Sequence, residues 1–384
     1  MALLLLLLPA LLLLLLLLLL AALGAALLEL PSYEIPRGVN QPAKLRLVLA
    51  LLLGTAILEK TGICSQITFG RYMRRGRRLA VDPKLFIQDL QFKKVPVRVY
   101  QPTAPSHGRR RGIIFFHGGG WVFGSLEHSY LFHKYPAAYE DCLNATLHFM
   151  KNIEHYGVDP ARIIVSGDSA GGNLAAAVSQ TLASRSDLPK LRAQILIYPG
   201  LQALDFNLPS YQQNRAVPLL LRERAAFFAL QYLNGDASHV EEVLEGSHIP
   251  ADVRLKYRKW VSADNIPEEF KTRGVKTLAP TDCIAEVYES VKRFCEPNLC
   301  PLLAEDATVH QQPESFILTC EYDVLRDDGL LYKKRLEDNG VPVTWYHIED
   351  GFHGIISLHD YCGFSFPAGK RGLDSIVNFI KGLE

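Results

Sequence analysis

The feature that most constrains this chain is the stretch Ile163–Gly172, which reads Ile-Ile-Val-Ser-Gly-Asp-Ser-Ala-Gly-Gly. An apolar run typical of a buried strand leads directly into a Gly-x-Ser-x-Gly turn, and a helix-prone segment follows. A turn this sharp needs positions without side chains on both sides of its centre, and Gly167 and Gly171 supply them. The pattern predicts a nucleophile elbow with Ser169 at its tip, although a glycine-rich strand-to-helix turn of any α/β protein would also fit it.

A second glycine-rich stretch follows another strand-like run. Residues Gly112–Phe116 are continuously apolar apart from the glycine, which predicts a buried parallel strand, and they lead into His117-Gly118-Gly119-Gly120-Trp121. Consecutive glycines leave their backbone N–H groups bare, so these groups can approach the oxyanion of a tetrahedral intermediate. A motif of this kind accompanies the elbow in lipases and esterases. The pair of motifs favours an acyl-transfer site.

A serine nucleophile needs a base and an acid, which follow the elbow in the order acid, then histidine. The run Phe316–Cys320 predicts a strand and is followed by Asp323, whereas Val343–Ile348 predicts a further strand and is followed by His353. Open α/β sheets place their ligand-binding groups beyond the carboxyl ends of the strands. Asp323 and His353 are therefore the candidate acid and base.

Three other aspartates are alternatives to Asp323 as the acid. Asp327 and Asp328 precede Gly329-Leu330-Leu331 and are predicted to be N-terminal helix residues, where a carboxylate interacts favourably with the helix dipole. That position explains these two residues without chemistry. Asp350, which is close to His353 in the sequence, stays open as an alternative.

Four sequence blocks resemble those of a known family. Residues 117–121, 167–172, 322–329 and 350–354 are similar to the signature blocks of arylacetamide deacetylase and its like proteins, in the hormone-sensitive-lipase group of α/β-hydrolases. The resemblance covers nearly the whole chain. It implies an α/β-hydrolase fold, in which a mostly parallel sheet is flanked by helices and covered by a helical cap, and a membrane-anchored enzyme that cleaves esters or amides of small apolar substrates.

The resemblance also implies roles for individual residues. Ser169 would be the nucleophile, His353 the base and Asp323 the acid that orients it. The oxyanion donors would be the backbone N–H groups that follow the motif residue His117, together with the one that follows the nucleophile: Gly118, Gly119, Gly120 and Ala170. No metal and no cofactor is implied.

One departure from the family pattern lies between Trp121 and Pro136. The family has a helix and a central strand here, and this chain has too few residues for both, so one central strand and its preceding helix are expected to be missing. Loss of ladder partners costs roughly 1–3 kcal/mol for each buried backbone group. Either Ser129–His133 substitutes as a short strand, or the sheet closes up, or the chain folds poorly. The alternative function is therefore a catalytically impaired, non-enzymatic variant of the same fold.

Net charge, the order of the candidate residues and the cysteine pattern each exclude another class of function or site. With 384 residues and a formal net charge of +1, the chain has no charge bias towards nucleic acid. A trypsin-like protease is excluded by the order of the candidate residues, because its histidine and aspartate precede the serine. The seven cysteines indicate free thiols or an isolated disulfide rather than a disulfide framework, and Cys295 and Cys300 lack the second pair of a zinc site.

The amino-terminal segment predicts a membrane anchor. Residues 1–28 carry no charged side chain, and a helix of that length reaches roughly 40 Å, more than the ~30 Å of a bilayer core. A cleaved signal peptide ending near Ala21–Ala25 is the alternative. Basic residues after the span would put the body in the cytosol. The resemblance implies the lumen of the endoplasmic reticulum, with which a glycosylation sequon at Asn144 is compatible.

The chain is accordingly divided into five segments. A transmembrane signal anchor (1–28) is followed by an N-terminal cap or linker (29–90), the first part of the hydrolase core (91–200), a cap insertion (201–312) and the second part of the core (313–384). Within these, Leu47–Leu58 predicts a packed or interfacial helix, and Val95–Tyr100 an antiparallel strand of the sheet. A basic cluster of Arg71, Arg74, Arg75, Arg77 and Arg78 predicts a solvated helix face or a contact with anionic lipid.

Overall fold

The carboxyl ends of five parallel strands build the edge of the sheet on which the elbow lies. The computed structural model describes residues 24, 33, 35–60, 82–123, 134–276, 281–359 and 365–383. Its strands are β1 (Leu85–Phe92), β2 (Val95–Pro102), β3 (Arg110–Phe116), β4 (Val158–Asp168), β5 (Ala193–Ile197), β6 (Glu314–Tyr322) and β7 (Val343–Phe352). Strands β3 to β7 form one sheet in chain order, and every neighbouring pair is parallel. The predicted mostly parallel sheet is confirmed.

The α-helices of the described residues lie on both faces of this sheet and above its carboxyl edge. They are α1 (Pro42–Lys60), α2 (Ala137–Lys151), α3 (Ala170–Ala183), α4 (Pro209–Gln213), α5 (Arg222–Asn234), α6 (Val240–Glu245), α7 (Ala251–Tyr257), α8 (Ala285–Val291), α9 (Asp306–Val309), α10 (Arg326–Asp338) and α11 (Pro367–Gly382). Short 3-10 helices are Ile153–Tyr156, Ala263–Asn265, Glu268–Phe270, Lys292–Cys295 and Pro301–Leu303.

Alternate residues of the strands pack against different helices. Ile163 and Val165 of β4 belong to the core that includes α2, α3 and α10, whereas Ile164 belongs to the core that includes α1 and α11. A strand covered on both faces needs apolar residues at successive positions, since neighbouring side chains point to opposite faces. This explains the continuous apolar runs, such as β5, in which every residue is buried.

Strands β1 and β2 form a separate hairpin. They are antiparallel and are joined by Lys93 and Lys94, whose φ angles of 48° and 76° match the mirror-image turns that suit a two-residue hairpin. The expectation that Val95–Tyr100 belongs to the main sheet was wrong, because among the described strands β2 pairs with β1 alone. The hairpin packs instead beside α2 through Phe92, whose ring lies 4.5 Å from that of His148.

Strand β3 is the edge of the five-stranded sheet, and no described strand pairs with its side away from β4. The hairpin that precedes β3 in the chain is not hydrogen-bonded to it. No described strand lies between β3 and β4 in the chain, where the family pattern has a central strand. The candidate substitute, Ser129–His133, lies outside the described residues.

The cap insertion between β5 and β6 is attached to the core by two buried carboxylates at the start of α10. Asp327 accepts a hydrogen bond from the Ser210 N–H at 2.7 Å, and Asp328 accepts one from the Leu201 N–H at 2.8 Å. Asp327 also forms a 2.9 Å ion pair with the buried Arg326. The interpretation of both aspartates as dipole partners was therefore incomplete, since their main contacts are tertiary.

The predictions for the amino-terminal region fall partly on described residues. The helix predicted over Leu47–Leu58 is confirmed as part of α1. The proposed anchor, apart from Gly24, and the whole arginine cluster lie outside the described residues, as do Cys64 and Cys362. Within the described part of the chain, no helix combines the length and apolar character needed to cross a bilayer. The five cysteines described there, Cys142, Cys283, Cys295, Cys300 and Cys320, are free thiols.

Candidate active site

The turn between β4 and α3 has the geometry of a nucleophile elbow. Ser169 has φ 57° and ψ −122°, a conformation that residues with a side chain rarely adopt. A Cβ at Gly167 would collide with the carbonyl oxygen of Gly171, and a Cβ at Gly171 with that of Phe116. The N–H of Ser169 donates to the carbonyl of Ile197 at 2.9 Å. Both flanking glycines are therefore required by close backbone approach, as the sequence predicts.

The three candidate triad residues form one chain of hydrogen bonds. Ser169 Oγ lies 2.9 Å from His353 Nε2, and His353 Nδ1 lies 2.8 Å from Asp323 Oδ2. The other carboxylate oxygen of Asp323 accepts a hydrogen bond from the Leu325 N–H at 2.9 Å. Asp323 is 1% exposed and His353 is 9% exposed. The carboxylate is thus fixed on both oxygens, and it holds the imidazole with Nε2 directed at the serine.

The alternative acids are engaged elsewhere. The carboxylates of Asp327 and Asp328 contact the cap insertion, as described above. Asp350 forms an ion pair with Arg371 and accepts a hydrogen bond from the Asn40 side chain. Among these aspartates, only Asp323 contacts the imidazole of His353.

Two further residues, which were not predicted from the sequence, hold the triad in place. Asn214 donates from its side-chain amide to the carbonyl oxygens of Glu321 at 3.0 Å and Asp323 at 2.9 Å, which fixes the turn after β6. Tyr198 packs its ring edge-on against His353, with centroids 5.0 Å apart. Tyr198 directly follows β5, so its position at the carboxyl edge of the sheet was a usable signal. Asn214 lies in the cap insertion, and no local pattern distinguishes it.

The glycine-rich segment lies against the elbow. The Gly118 N–H donates to Asp168 Oδ1 at 2.7 Å, and Asp168 Oδ2 accepts from the Ser357 hydroxyl at 3.0 Å. Gly119 and Gly120 have φ values of 126° and 61°, which favour glycine. No hydrogen bond between described residues takes up the N–H groups of Gly119, Gly120 or Ala170. These three amides are therefore available to a ligand, whereas that of Gly118 is occupied.

No hydrogen bond between described residues joins His117 or Asn144 to the triad. The His117 side chain is exposed at the cavity that contains the triad, and its Nδ1 lies 2.8 Å from the carbonyl oxygen of Gly118. Asn144 is on α2, and the threonine of its sequon, Thr146, is fully buried with its hydroxyl bonded to the Cys142 carbonyl. This geometry gives no support to a glycan at Asn144. Within the described ranges, no cluster of His, Cys, Asp or Glu side chains is suited to a metal ion.

A large cavity opens at the triad. It has a volume of about 1100 Å³ and is lined by Ser169, His353 and the glycine-rich segment, with mostly apolar side chains elsewhere and a few polar ones such as Gln202 and Arg224. Typical small-molecule pockets have volumes of roughly 300–1,000 Å³. The cavity therefore has room for a substrate larger than the group that reacts at the serine.

Comparison with known proteins identifies the family. The model of a family described as having the alpha/beta hydrolase fold matches residues 131–254 and 257–357, which is more than half of the chain. Human arylacetamide deacetylase-like 4 is 45% identical over 376 residues, covering 91% of this chain and 92% of that protein. The chain belongs to the arylacetamide deacetylase family of α/β-hydrolases. Mouse arylacetamide deacetylase is 40% identical over 318 residues, or 75% of this chain and 77% of that protein.

A solved structure supports the fold assignment. A thermostable esterase from Pseudomonas putida superposes with a TM-score of 0.61 and 23% identity, covering 91% of this chain and 99% of that chain. The α/β-hydrolase fold that the four sequence blocks imply is confirmed. The match to the family model begins at residue 131, so the glycine-rich segment of this arylacetamide deacetylase relative lies outside it.

Proposed function

We propose that this protein is a membrane-anchored serine hydrolase that cleaves carboxylic esters or amides of apolar substrates. The observation that carries the proposal is the unbroken hydrogen-bonded chain from Ser169 through His353 to Asp323 at the wall of a large apolar cavity. Geometry and roles, rather than sequence position, define a catalytic triad. The relatives named arylacetamide deacetylase support an acyl group on nitrogen as one kind of target.

The reaction begins when Ser169 Oγ attacks the carbonyl carbon while His353 Nε2 takes its proton. Asp323 fixes the tautomer with the proton on Nδ1 and stabilises the imidazolium that forms. The imidazolium then gives its proton to the leaving alcohol or amine, and an acyl-serine remains. A water molecule, deprotonated by His353, hydrolyses the acyl-serine and restores the free enzyme.

The tetrahedral intermediates carry a negative oxygen that needs donors already in position. The available amides of Gly119, Gly120 and Ala170 supply them, and one such donor is typically worth about 2.7–4 kcal/mol. Gly118 acts differently, because its N–H holds the segment to Asp168. The cap insertion, whose Phe206 and Phe228 line the cavity, excludes water and strengthens these interactions.

The second candidate is the impaired, non-enzymatic variant, in which the expected missing strand displaces the glycine-rich segment from the serine. Two observations speak against it. The contacts from Ser169 to Asp323 are within hydrogen-bonding distance, and the Gly118 bond to Asp168 keeps the segment beside the elbow. The enzyme is therefore the better supported of the two.

Labelling with a fluorophosphonate probe tests the proposal. The full-length protein should be labelled at Ser169, and the Ser169→Ala variant should not be. Ser184→Ala is the matched control, because Ser184 is exposed at the opposite end of the same helix, α3, and is remote from the triad. Absence of labelling in folded parent protein would refute the enzyme and support the non-enzymatic variant.

We further propose that residues 1–28 anchor the protein once in the membrane of the endoplasmic reticulum, with the hydrolase body in the lumen. The charge-free apolar run supports the anchor, and the family resemblance supports the lumenal orientation, whereas the basic residues after the run favour the opposite orientation. Protease treatment of intact microsomes tests it with a C-terminal tag. A lumenal body resists digestion until detergent is added, whereas a cytosolic body is digested at once.

A further inference from the structure

Two large apolar side chains stand exposed on the edge strand of the sheet. Ile113 is 49% exposed and Phe115 is 55% exposed, although both belong to an apolar run of β3. They are in register with Ile164 and Ser166 of β4, so they point to the face that carries α11. Parallel strands are normally covered on both faces. At this edge, no described helix covers them.

Two helices form the borders of this uncovered region. The guanidinium of Arg111 donates to the carbonyl oxygens of Ile380 and Leu383, so the end of α11 lies beside the start of β3. Lys44 of α1 donates to the carbonyl of Ser365 at 3.1 Å, which brings α1 to the start of α11. Residues of both helices line the same cavity as Ile113 and Phe115, so the uncovered part of β3 is one side of a groove that α1 and α11 also line.

The groove belongs to the cavity that contains the triad. The same cavity reaches from Ser169 and His353 to the groove, which we call the β3 arm; six of its lining residues are Leu49, Leu53, Ile113, Phe115, Val377 and Ile380. None of these side chains carries a charge. The cavity is also lined by residues of the cap insertion, among them Phe206 and Phe294.

We propose that the β3 arm binds a long hydrocarbon chain of the substrate, and that the enzyme prefers esters that carry such a chain. The proposal rests on the proposed function, since the serine and the arm share one cavity. A polar group in this arm would lose its hydrogen bonds with water and gain no charged partner, whereas a methylene chain has only apolar surface to bury. Each buried methylene contributes about 0.8 kcal/mol, or roughly a fourfold change in a binding constant.

A chain-length series in the full-length protein tests this inference. We expect kcat/KM for p-nitrophenyl esters to rise from acetate to dodecanoate. Val377→Lys places a charge in the arm, and because Val377 is 39% exposed on α11, a lysine is compatible with the helix. We expect this variant to lower kcat/KM at least tenfold for the dodecanoate and less than twofold for the acetate.

Two further variants provide an independent change in the arm and a control outside it. Ile113→Thr makes the floor of the arm polar with a residue suited to a strand, and it should change chain-length preference in the same direction. Leu255→Lys is the control, because Leu255 is 70% exposed on α7 and does not line the cavity. It should leave the whole series unchanged.

The outcomes separate the two proposals. If the acetate is hydrolysed but Val377→Lys and Ile113→Thr both leave the ratio of dodecanoate to acetate unchanged, the β3 arm does not hold the substrate chain and only the hydrolase proposal stands. If no ester is hydrolysed and Ser169 resists the fluorophosphonate, the hydrolase proposal fails and the arm loses its basis.

Discussion

At the scale of single residues, the site depends on how each polar group is fixed by a second contact. Asp323 is held by the Leu325 N–H, Asp168 by the Gly118 N–H and the Ser357 hydroxyl, and Ser169 by its strained backbone. Each contact limits a side chain or a backbone segment to one arrangement before substrate enters. Preorganisation of this kind removes the reorganisation that water would otherwise require during the reaction.

Replacement of the acid should separate the candidates for that role. We expect Asp323→Asn to lower kcat about 10⁴-fold, because an amide at this position favours the wrong imidazole tautomer. Asp350→Asn should change kcat little, since Asp350 contacts Arg371 and not His353. Ester turnover by the two variants, with folding checked by circular dichroism, measures the difference. An equal loss in both would contradict the assignment of Asp323.

At the scale of secondary structure, the start of α10 joins the cap insertion to the core. Asp328 is fully buried and accepts hydrogen bonds from the Leu201 N–H at 2.8 Å and from the Gln202 side chain at 3.0 Å. Burial nevertheless raises the pKa of Asp328 to about 7. The same cap segment contains buried His248, whose pKa burial lowers to about 4. The two groups have opposite effects on the pH dependence of stability.

The pH dependence of stability therefore tests the role of Asp328. Its folded pKa is above the ordinary aspartate pKa of about 3.9, so the folded state keeps a proton that the unfolded state releases, and this contribution to stability is lost as pH rises from about 4 through 7. The contribution of His248 to stability rises with pH over much of the same range, because burial lowers its folded pKa. This rise partly offsets the loss from Asp328. We expect the stability of the parent relative to Asp328→Asn to fall by up to about 4 kcal/mol between pH 4 and pH 8.

Guanidinium denaturation of both proteins at several pH values measures this difference, in which the contribution of His248 cancels. A difference in unfolding free energy that stays constant across the range would show that Asp328 is charged throughout.

The elements themselves could be predicted from the sequence because their signals are local. An apolar run followed by a characteristic turn located β3, β4, β6 and β7, and with them Ser169, Asp323 and His353. The contacts that could not be predicted join residues far apart in sequence: Gly118 and Asp168 are 50 positions apart, Asn214 and Asp323 are 109, and Leu201 and Asp328 are 127. No periodicity records such pairings.

At the scale of the whole molecule, the central strands are packed on both faces, whereas the β1–β2 hairpin has fewer stabilising contacts. The central strands lie between helices on both faces, whereas the hairpin of β1 and β2 forms its own sheet and exposes Phe86 and Tyr100 by 53% and 50%. An isolated two-stranded hairpin is only marginally stable in water. We therefore expect stability to fall from β5 towards β3 and the hairpin.

Hydrogen exchange tests this gradient. Protection factors of the β1 and β2 amides should be at least about 100-fold lower than those of fully buried β5, because the hairpin can open without disrupting the main sheet. Exchange measured by mass spectrometry on peptides from residues 85–102 and 193–197 gives both values. Equal protection would mean that the hairpin and the sheet unfold together.

The position of β3 at the edge of the sheet also determines which part of the active site is lost first when the protein begins to unfold. The segment that offers free amides to the substrate continues directly from this strand, whereas the serine follows the inner strand β4 and the histidine follows β7 at the opposite edge of the sheet. Fraying that starts at β3, beside the hairpin, displaces the amides first and leaves the nucleophile and its base in contact. Mild heat or denaturant should then abolish ester hydrolysis while the circular dichroism signal of the native sheet persists. A sample can therefore be folded by this criterion and still have no activity.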